Sequence, residues 1–411
     1  MEDAELVDGR NSTPSAFVKP GVVGLDEIRA IETASYSVIE RLREAVFAPD
    51  GKKVLNRRFS ISEAAEMVGR STTSIRQAEK SGKLPEPEKG ARGRRRGYSL
   101  EAINQMRSHY KTFPWRDSAT DEAAVVAIQN FKGGVGKSTL TVHLAQYLGL
   151  RGYRVCVLDC DPQGSTTSLF GVNPDMDLDE DDTLYPFFHG EQETLSYAVQ
   201  PTYWDQISLV PSNLSLYGVE YYLAAKLPGN PRMLDRLRLG IEGIKQDYDI
   251  VLIDPPPALG MISLSVLRAA NALVVPCRPA TIDFGSTAHF FTMLIEALEA
   301  LESNGLSGNY NFLQVLANDM DEGKSAHSRI TAMMQQVYGP RMLSTVMKDS
   351  AEIDNACGRL MTVYELEGPI TSPEVHKRAK VYLDSVNREI ETLIRKTWPS
   401  HQESLRAEGL I

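Results

Sequence analysis

Ala123-Ala-Val-Val-Ala-Ile-Gln-Asn-Phe-Lys-Gly-Gly-Val-Gly-Lys-Ser-Thr139 decides the fold. Its apolar opening, Ala123 to Gln129, is short and contains β-branched residues, which predicts a buried strand. Glycines then interrupt it, and Leu140 to Leu150 resumes as a helix. Strand, glycine loop and helix in that order form the setting in which backbone amides can cradle phosphate oxygens. Gly133, Gly134 and Gly136, with Val135 between them, let those amides turn inward. Lys137 then places a point charge at the outer phosphates, Ser138 offers a hydroxyl to magnesium, and Thr139 follows at the start of the helix, whose dipole favours the same charge. A glycine turn without a ligand would give the lysine and serine no reason to follow.

Further strand-like runs recur at Arg154 to Asp159, Ile207 to Pro211, Ile250 to Asp254, Ala272 to Pro276 and Phe312 to Ala317, separated by longer helical stretches. This alternation predicts an α/β domain with a mainly parallel sheet covered on both faces. The six acids between Asp175 and Asp182 read as an exposed loop without assigned chemistry. The loop departs from the standard phosphate-binding pattern at one place. Phe131 stands where a glycine is usual, and Lys132 follows it. Lys132 is too close in sequence to Lys137 for both to fill one position, so it is expected to serve another charge, on a neighbouring molecule.

The 411 residues imply two or three domains, and 42% apolar with 24% charged residues is ordinary globular composition. Cys156, Cys160, Cys277 and Cys357 are too scattered for a disulfide framework or a zinc site and read as reduced thiols. No stretch approaches the ~18 to 20 consecutive apolar residues that span a bilayer, and the first residues lack a signal-peptide pattern, so a cytoplasmic location is expected. The net charge of −10 is unevenly spread. From Lys52 to Tyr98, thirteen Lys or Arg face five Glu, a local +8 that leaves −18 elsewhere. That segregation is the footprint of a surface for nucleic-acid phosphates.

The same basic segment carries a helix-turn-helix pattern. Ser60 or Ser62 can cap a first short helix bearing Ala64, Ala65 and Val68. Gly69 supplies a turn, and Ser71 can cap a second helix with Ile75 facing inward. Ser71, Thr72, Thr73, Arg76 and Gln77 are then candidates to meet DNA. Arg92, Arg94, Arg95 and Arg96 lie on a glycine-flanked wing that can reach phosphates or a minor groove. The expected organisation is a flexible tail (1–22), an amphipathic helix (23–50) that packs on its own chain or pairs with a second copy, a winged helix-turn-helix (51–112), a linker (113–122), the α/β domain (123–400) and a C-terminal tail (401–411).

The run Lys132-Gly-Gly-Val-Gly-Lys-Ser-Thr139 resembles the deviant Walker A motif of the ParA/MinD group of P-loop NTPases, in which the first lysine reaches the partner's nucleotide in an ATP-sandwich dimer. Val157-Leu-Asp-Cys-Asp-Pro-Gln-Gly164 is similar to the family's second signature, and Asp249 to Gly260 resembles the Walker B strand and its turn. The resemblance implies that Asp161 helps position an attacking water, that Asp159 lies in or supports the magnesium shell, and that Asp254 holds magnesium through water. With Lys132 and Lys137, Asp161 completes the implied catalytic set.

Taken from residue 24 to about 395, the chain looks most like the larger ParA proteins with an N-terminal helix and winged helix-turn-helix. That resemblance implies an ATP- and Mg2+-dependent partition ATPase working as a homodimer, held on nucleoid DNA without sequence preference, stimulated by a ParB-type centromere-binding partner, and repressing its own operator. A transcription regulator using ATP only as a switch is the alternative. Among eight basic residues toward the C-terminus, Arg378 and Lys380 are the chosen candidates for non-specific DNA. The ending lacks the basic amphipathic helix of MinD-like proteins, so no membrane partner is expected. Asn318-Asp-Met-Asp321 only partly matches a guanine motif, because Asp319 replaces its lysine, and ATP is expected from the resemblance.

Overall fold

The computed structural model describes residues 23–46, 52–87, 95–306 and 308–411. The expected tail, Arg92 and Arg94 lie outside them. The chain forms two units, residues 1–51 and 52–411. In the first, α1 (Leu25–Val46) carries Leu25, Ile28, Ile31, Val38 and Ile39 exposed along its length.

The second unit begins with three helices, α2 (Ile61–Val68), α3 (Thr72–Lys80) and α4 (Leu100–Tyr110). Ser60 caps α2 reciprocally with Glu63, Gly69 ends it in the left-handed region, and Ser71 and Ser99 accept from the Ser74 and Ala102 amides of the next two helices. An antiparallel bridge between Phe59 and Tyr98 ties the two ends of this module together.

There follow β1 (Ala124–Ile128), α5 (Lys137–Arg151), β2 (Val155–Asp159), α6 (Ser165–Leu169), α7 (Tyr185–His189), β3 (Gln200–Pro201), β4 (Ile207–Val210), α8 (Leu216–Lys226) and α9 (Arg236–Ile244). The chain continues through β5 (Ile250–Asp254), α10 (Met261–Ala269), β6 (Ala272–Cys277), α11 (Thr281–Ser303), β7 (Phe312–Ala317), α12 (Ser325–Tyr338), α13 (Ala351–Cys357), α14 (Pro373–Lys396) and α15 (Gln402–Ala407). The seven-stranded sheet runs β3-β4-β2-β5-β1-β6-β7 and is parallel except for the β3–β4 edge pair. Because β1 sits between β5 and β6, the loop leaving it opens at the crevice where strand order reverses, the usual ligand position in such sheets. Strands β1, β2 and β5 are buried throughout, which explains their unbroken apolar runs.

One apolar cluster joins the three-helix module to the α/β core. Phe59, Ala64, Val68, Ile75, Ile103 and Met106 belong to the same buried set as Leu144, Leu148, Tyr153, Leu383 and Ile390. Arg107 of α4 is fully buried at this junction. Its guanidinium donates to the Leu150 carbonyl, to the Met67 carbonyl at 3.3 Å and to Asn104 Oδ1. Gly152 ends α5 at φ +99°, and a Cβ there would lie 3.0 Å from the Arg107 side chain. Burial lowers the Arg107 pKa to about 10, so it stays charged at neutral pH. Arg107→Met removes these donors and leaves buried carbonyls unpaired, an expected loss of about 2 to 4 kcal/mol, measurable by urea unfolding.

The segments expected as a linker and a C-terminal tail are both held by tertiary contacts. Residues 113–122 are not a slack tether, because the Arg116 guanidinium donates to the carbonyls of Asp121 (2.8 Å), Lys245 (3.0 Å) and Tyr248 (3.1 Å), while Trp115 donates to Gly152 O and lies under Arg154. Residues 401–411 are not a free tail. His401 is buried, Leu405 of α15 is fully buried, and Arg395 pairs with Glu408 at 2.6 Å. The signals were local polarity and proximity to the terminus, and tertiary hydrogen bonds override both.

His143 on α5 sets a pH limit. It is fully buried, its Nδ1–H donates to Thr139 O at 2.8 Å, and its Nε2 accepts from the Val363 amide at 3.3 Å. Burial holds its pKa down to about 4, below the ordinary 6.5, against the pull of the Thr139 carbonyl. The unfolded ring therefore takes up a proton that the folded ring refuses. Stability is full above pH 6.5 and is expected to fall as pH drops toward 4, by at most about 1.4 kcal/mol per unit. Denaturant midpoints at neutral and mildly acidic pH test this, and His143→Gln, which cannot titrate, should lose that part of the slope.

Candidate functional site

The loop from Asn130 to Gly136 is held by side-chain amides at both ends. The Asn130 amide donates to Pro276 O at 2.8 Å while its oxygen accepts from the Lys132 amide at 3.0 Å. Asn318 Nδ2 donates to Val135 O at 2.7 Å. Gly136 sits at φ +83°, and a Cβ there would come within 2.5 Å of Asn318 Nδ2, so glycine is required for both backbone and space. Asn318, noted in the sequence for a base-reading motif, is thus a strut of the loop itself.

Two cavities flank the loop. One, of about 470 Å3, contains Gly133, Lys137, Ser138, Asp161, Gln163 and Pro257. The other, of about 560 Å3, shares Gly134, Gly136 and Thr139 with the first and adds Arg278, Asn318 and Asp354. Arg278 forms an ion pair with Asp319 in its wall. The first cavity has the size and donors for a polyphosphate, the second the room for the rest of a nucleotide.

Below the phosphate side, Asp159 and Asp254 end adjacent strands as register partners and are both fully buried. Asp159 Oδ2 accepts from the Thr167 amide (2.8 Å) and hydroxyl (2.7 Å), and its Oδ1 from the Asp161 amide (3.1 Å). Asp254 Oδ2 accepts from the Thr166 hydroxyl at 2.8 Å, whereas its Oδ1 is buried without a hydrogen bond of ordinary geometry, beside Ser138. Burial, and after it the Asp254 charge, pushes Asp159 well above the usual carboxylate range, and burial pushes Asp254 up as well. Two stacked carboxylates with a free oxygen next to a serine hydroxyl suit a hydrated divalent cation.

Lys137 is only 7% exposed, and desolvation lowers its pKa against the attraction of Asp254 and Asp161. Asp161 is buried at the cavity edge. Its backbone oxygen accepts from the Ser212 hydroxyl (2.6 Å) and its Oδ1 from the Gln163 amide (2.9 Å). Lys132 behaves differently. Its side chain is 39% exposed, and Asp283 Oδ1 lies 3.9 Å from its ammonium.

Thr166, Thr167, Ser212 and Asn318 were not singled out as site residues. The hydroxyl-rich run Gly164-Ser-Thr-Thr directly after the aspartate signature was the available signal for the two threonines. Ser212 carried none, because only strand order brings β4 beside β2.

In the N-terminal module Ser71, Thr73, Arg76, Gln77 and Arg96 are exposed, and Thr72 is half-buried. Arg95 is also exposed, but it pairs with buried Glu79 at 2.7 Å and reaches the Tyr98 hydroxyl at 3.2 Å. Arg378 is exposed. Lys380 is partly buried among Arg57, Asp384, Glu63 and Glu66, and burial lowers its pKa. The Glu79 pair of Arg95 and the partial burial of Lys380 weaken their case as free phosphate contacts.

The family described as AAA domain, AAA_31, matches residues 123–304. Protein SopA of Escherichia coli K12 is 36% identical over 327 residues, covering 77% of this chain and 83% of SopA. The chromosome-partitioning ATPase Soj of Thermus thermophilus is 32% identical over 251 residues, 61% of this chain and 90% of Soj. The chain belongs to the ParA-type partition ATPases. A solved structure titled Partition Protein shares the fold of this family member over 90% of the chain and 98% of its own length, with a TM-score of 0.63 at 21% identity. Among the described residues, no helix of the partition ATPase is long and apolar enough to cross a membrane, and no group of three His, Cys, Asp or Glu side chains forms a metal site by itself.

Proposed function

We propose that this partition ATPase binds ATP with Mg2+ as a sandwich homodimer, holds nucleoid DNA without sequence preference in the ATP state, and hydrolyses ATP when a ParB-type centromere-binding partner and DNA are both present. The observation that carries the reading is the arrangement around the phosphate cavity: Lys137 buried within it, Asp159 and Asp254 stacked beneath it, Asp161 at its edge and Lys132 turned to Asp283 instead. Bound Mg2+–ATP would supply the phosphoanhydride bond and the charge-neutralising cation. The amides of Gly133 to Thr139 would hold the phosphates, Ser138 and Asp254 would hold magnesium, and Asp159 would support that shell. Asp161 accepts from the Gln163 amide and would orient water, and Lys132 would enter the partner's site.

The N-terminal module adds operator binding. Ser71, Thr73, Arg76 and Gln77 stand together on exposed positions at and along α3 and would meet DNA, with Arg96 of the wing on phosphates. Repression of the protein's own operon then depends on nucleotide state. Arg378 is the better of the two C-terminal candidates for non-specific DNA.

The test is hydrolysis measured with DNA, with the centromere-binding partner, and with both. Synergistic stimulation is the expected result. ATP-dependent operator binding with no stimulation by either would favour a regulator that uses ATP only as a switch.

A further inference from the structure

The segment leading into α2 places a lysine inside the ATPase core. Lys53 has a side chain only 6% exposed, and its three ammonium donors are all taken: by Leu169 O at 2.7 Å, by Leu360 O at 2.7 Å and by the Glu365 carboxylate at 2.8 Å. Its ammonium also lies 4.7 Å from the centre of the Tyr203 ring. Glu365 in turn accepts from the Thr362 amide at 3.0 Å and from Gln146 Nε2 at 3.1 Å, which ties it to α5, the helix that follows the phosphate loop.

Two of the three acceptors belong to the wall of the phosphate-side cavity. Leu169 and Leu360 line it together with Lys137 and Asp161. Leu169 ends α6, whose Thr166 and Thr167 hold Asp254 and Asp159. Leu360 lies in the turn after α13 at φ +52°, a conformation unfavourable for a side chain of its size, and this turn carries the carbonyl that Lys53 binds. The same leading segment grips the next stretch of wall, where Arg57 donates to Tyr364 O at 2.8 Å. Two residues beyond Arg57, Phe59 makes the bridge to Tyr98 that closes the three-helix module. An apolar side chain could have welded this strap without the cost of a buried charge. An ammonium does something more directional, since any shift of α6 or of the 357–365 turn must carry Lys53 along or break one of its bonds.

We propose that Lys53 is a positioning residue of the nucleotide site, through which occupancy of the phosphate-side cavity and the placement of α2 and α3 are coupled. This rests on the nucleotide reading of that cavity and supplies a route for nucleotide control of operator binding. The coupling is reciprocal, so DNA held by α3 would alter nucleotide affinity through the same strap.

The experiment is hydrogen–deuterium exchange on the full chain with and without Mg2+–ADP, with ADP affinity measured on the same samples by calorimetry. In the wild type, ADP is expected to change exchange in 357–365, in 53–59 and in α3. The double variant Lys53→Met, Glu365→Gln removes both charges together and keeps an oxygen to accept from Thr362. It should still bind ADP, about tenfold more weakly, with the response confined to the cavity wall and absent from α3. A merely structural Lys53 would lower the melting temperature yet leave the α3 response in place, and that result overturns the proposal. So does a wild-type response that stops at the cavity wall, which needs no variant at all. If the wild type binds neither ADP nor ATP in the calorimeter, the nucleotide reading fails first and this proposal falls with it.

Discussion

Lys137→Ala is expected to abolish nucleotide binding and turnover, with affinity and rate falling by about a hundredfold to a thousandfold, the scale for removing a preorganised charge from a desolvated site. The reason is its surroundings. The ammonium is buried and attracted by Asp254 and Asp161, so without it a triphosphate entering the cavity would meet two carboxylates with only the magnesium ion to offset them. The glycine-loop amides would remain, but they cannot offset a full charge. Thermal melting gives the cleanest check, because a ligand that binds only the folded protein raises its melting temperature. The wild type should be stabilised by Mg2+–ATP and the variant should not. An unchanged ATP-induced shift in Lys137→Ala would show that the cavity is not the phosphate site.

Lys132→Ala should separate binding from pairing. Its ammonium is partly exposed and has the Asp283 carboxylate 3.9 Å away, an exposed pair that contributes little and that a better anion can displace. The backbone amide of Lys132, not its side chain, is what Asn130 holds. Nucleotide affinity of the monomer is therefore expected to change only a few-fold. ATP-dependent dimerisation should disappear, and partner-stimulated hydrolysis should fall by about a thousandfold, as when a cation supplied in trans is lost. Sedimentation with a non-hydrolysable ATP analogue, alongside the hydrolysis assay, decides it. Dimers that persist in the variant would remove the sandwich from the mechanism.

Both expectations concern residues legible in the primary sequence, and the same holds for most of the fold. The buried strands announce themselves as unbroken apolar runs because a parallel sheet covered on both faces allows nothing else. Ile250–Asp254 and Phe312–Ala317 match their sequence ranges, and the others differ by a residue or two. The two-residue edge strand Gln200–Pro201 escaped notice. It is too short for any periodicity, and it exists only because β4 lies beside it. The phosphate loop was readable because its chemistry is local: amides, lysine and serine are contiguous in the chain. Asp159 and Asp254 were found by resemblance to known signatures, but their pairing depends on β2 lying next to β5.

What stayed hidden is what the chain brings together from far away. Asn318 reaches back 183 positions to hold Val135 O, and Lys53 reaches 307 positions ahead to Leu360 O. The polar segment 113–122 read as a linker because nothing local shows that Arg116 will satisfy three carbonyls. Arg95 and Lys380 read as free basic residues until the Glu79 partner of the first and the partial burial of the second are seen. The sequence alone determined the fold class and the phosphate chemistry, because strand burial and a glycine loop are encoded over a few consecutive residues. Only the tertiary structure decided that the three-helix module shares the ATPase core and that a lysine beside it grips the cavity wall, because burial of a charge is set by neighbours that no local pattern names.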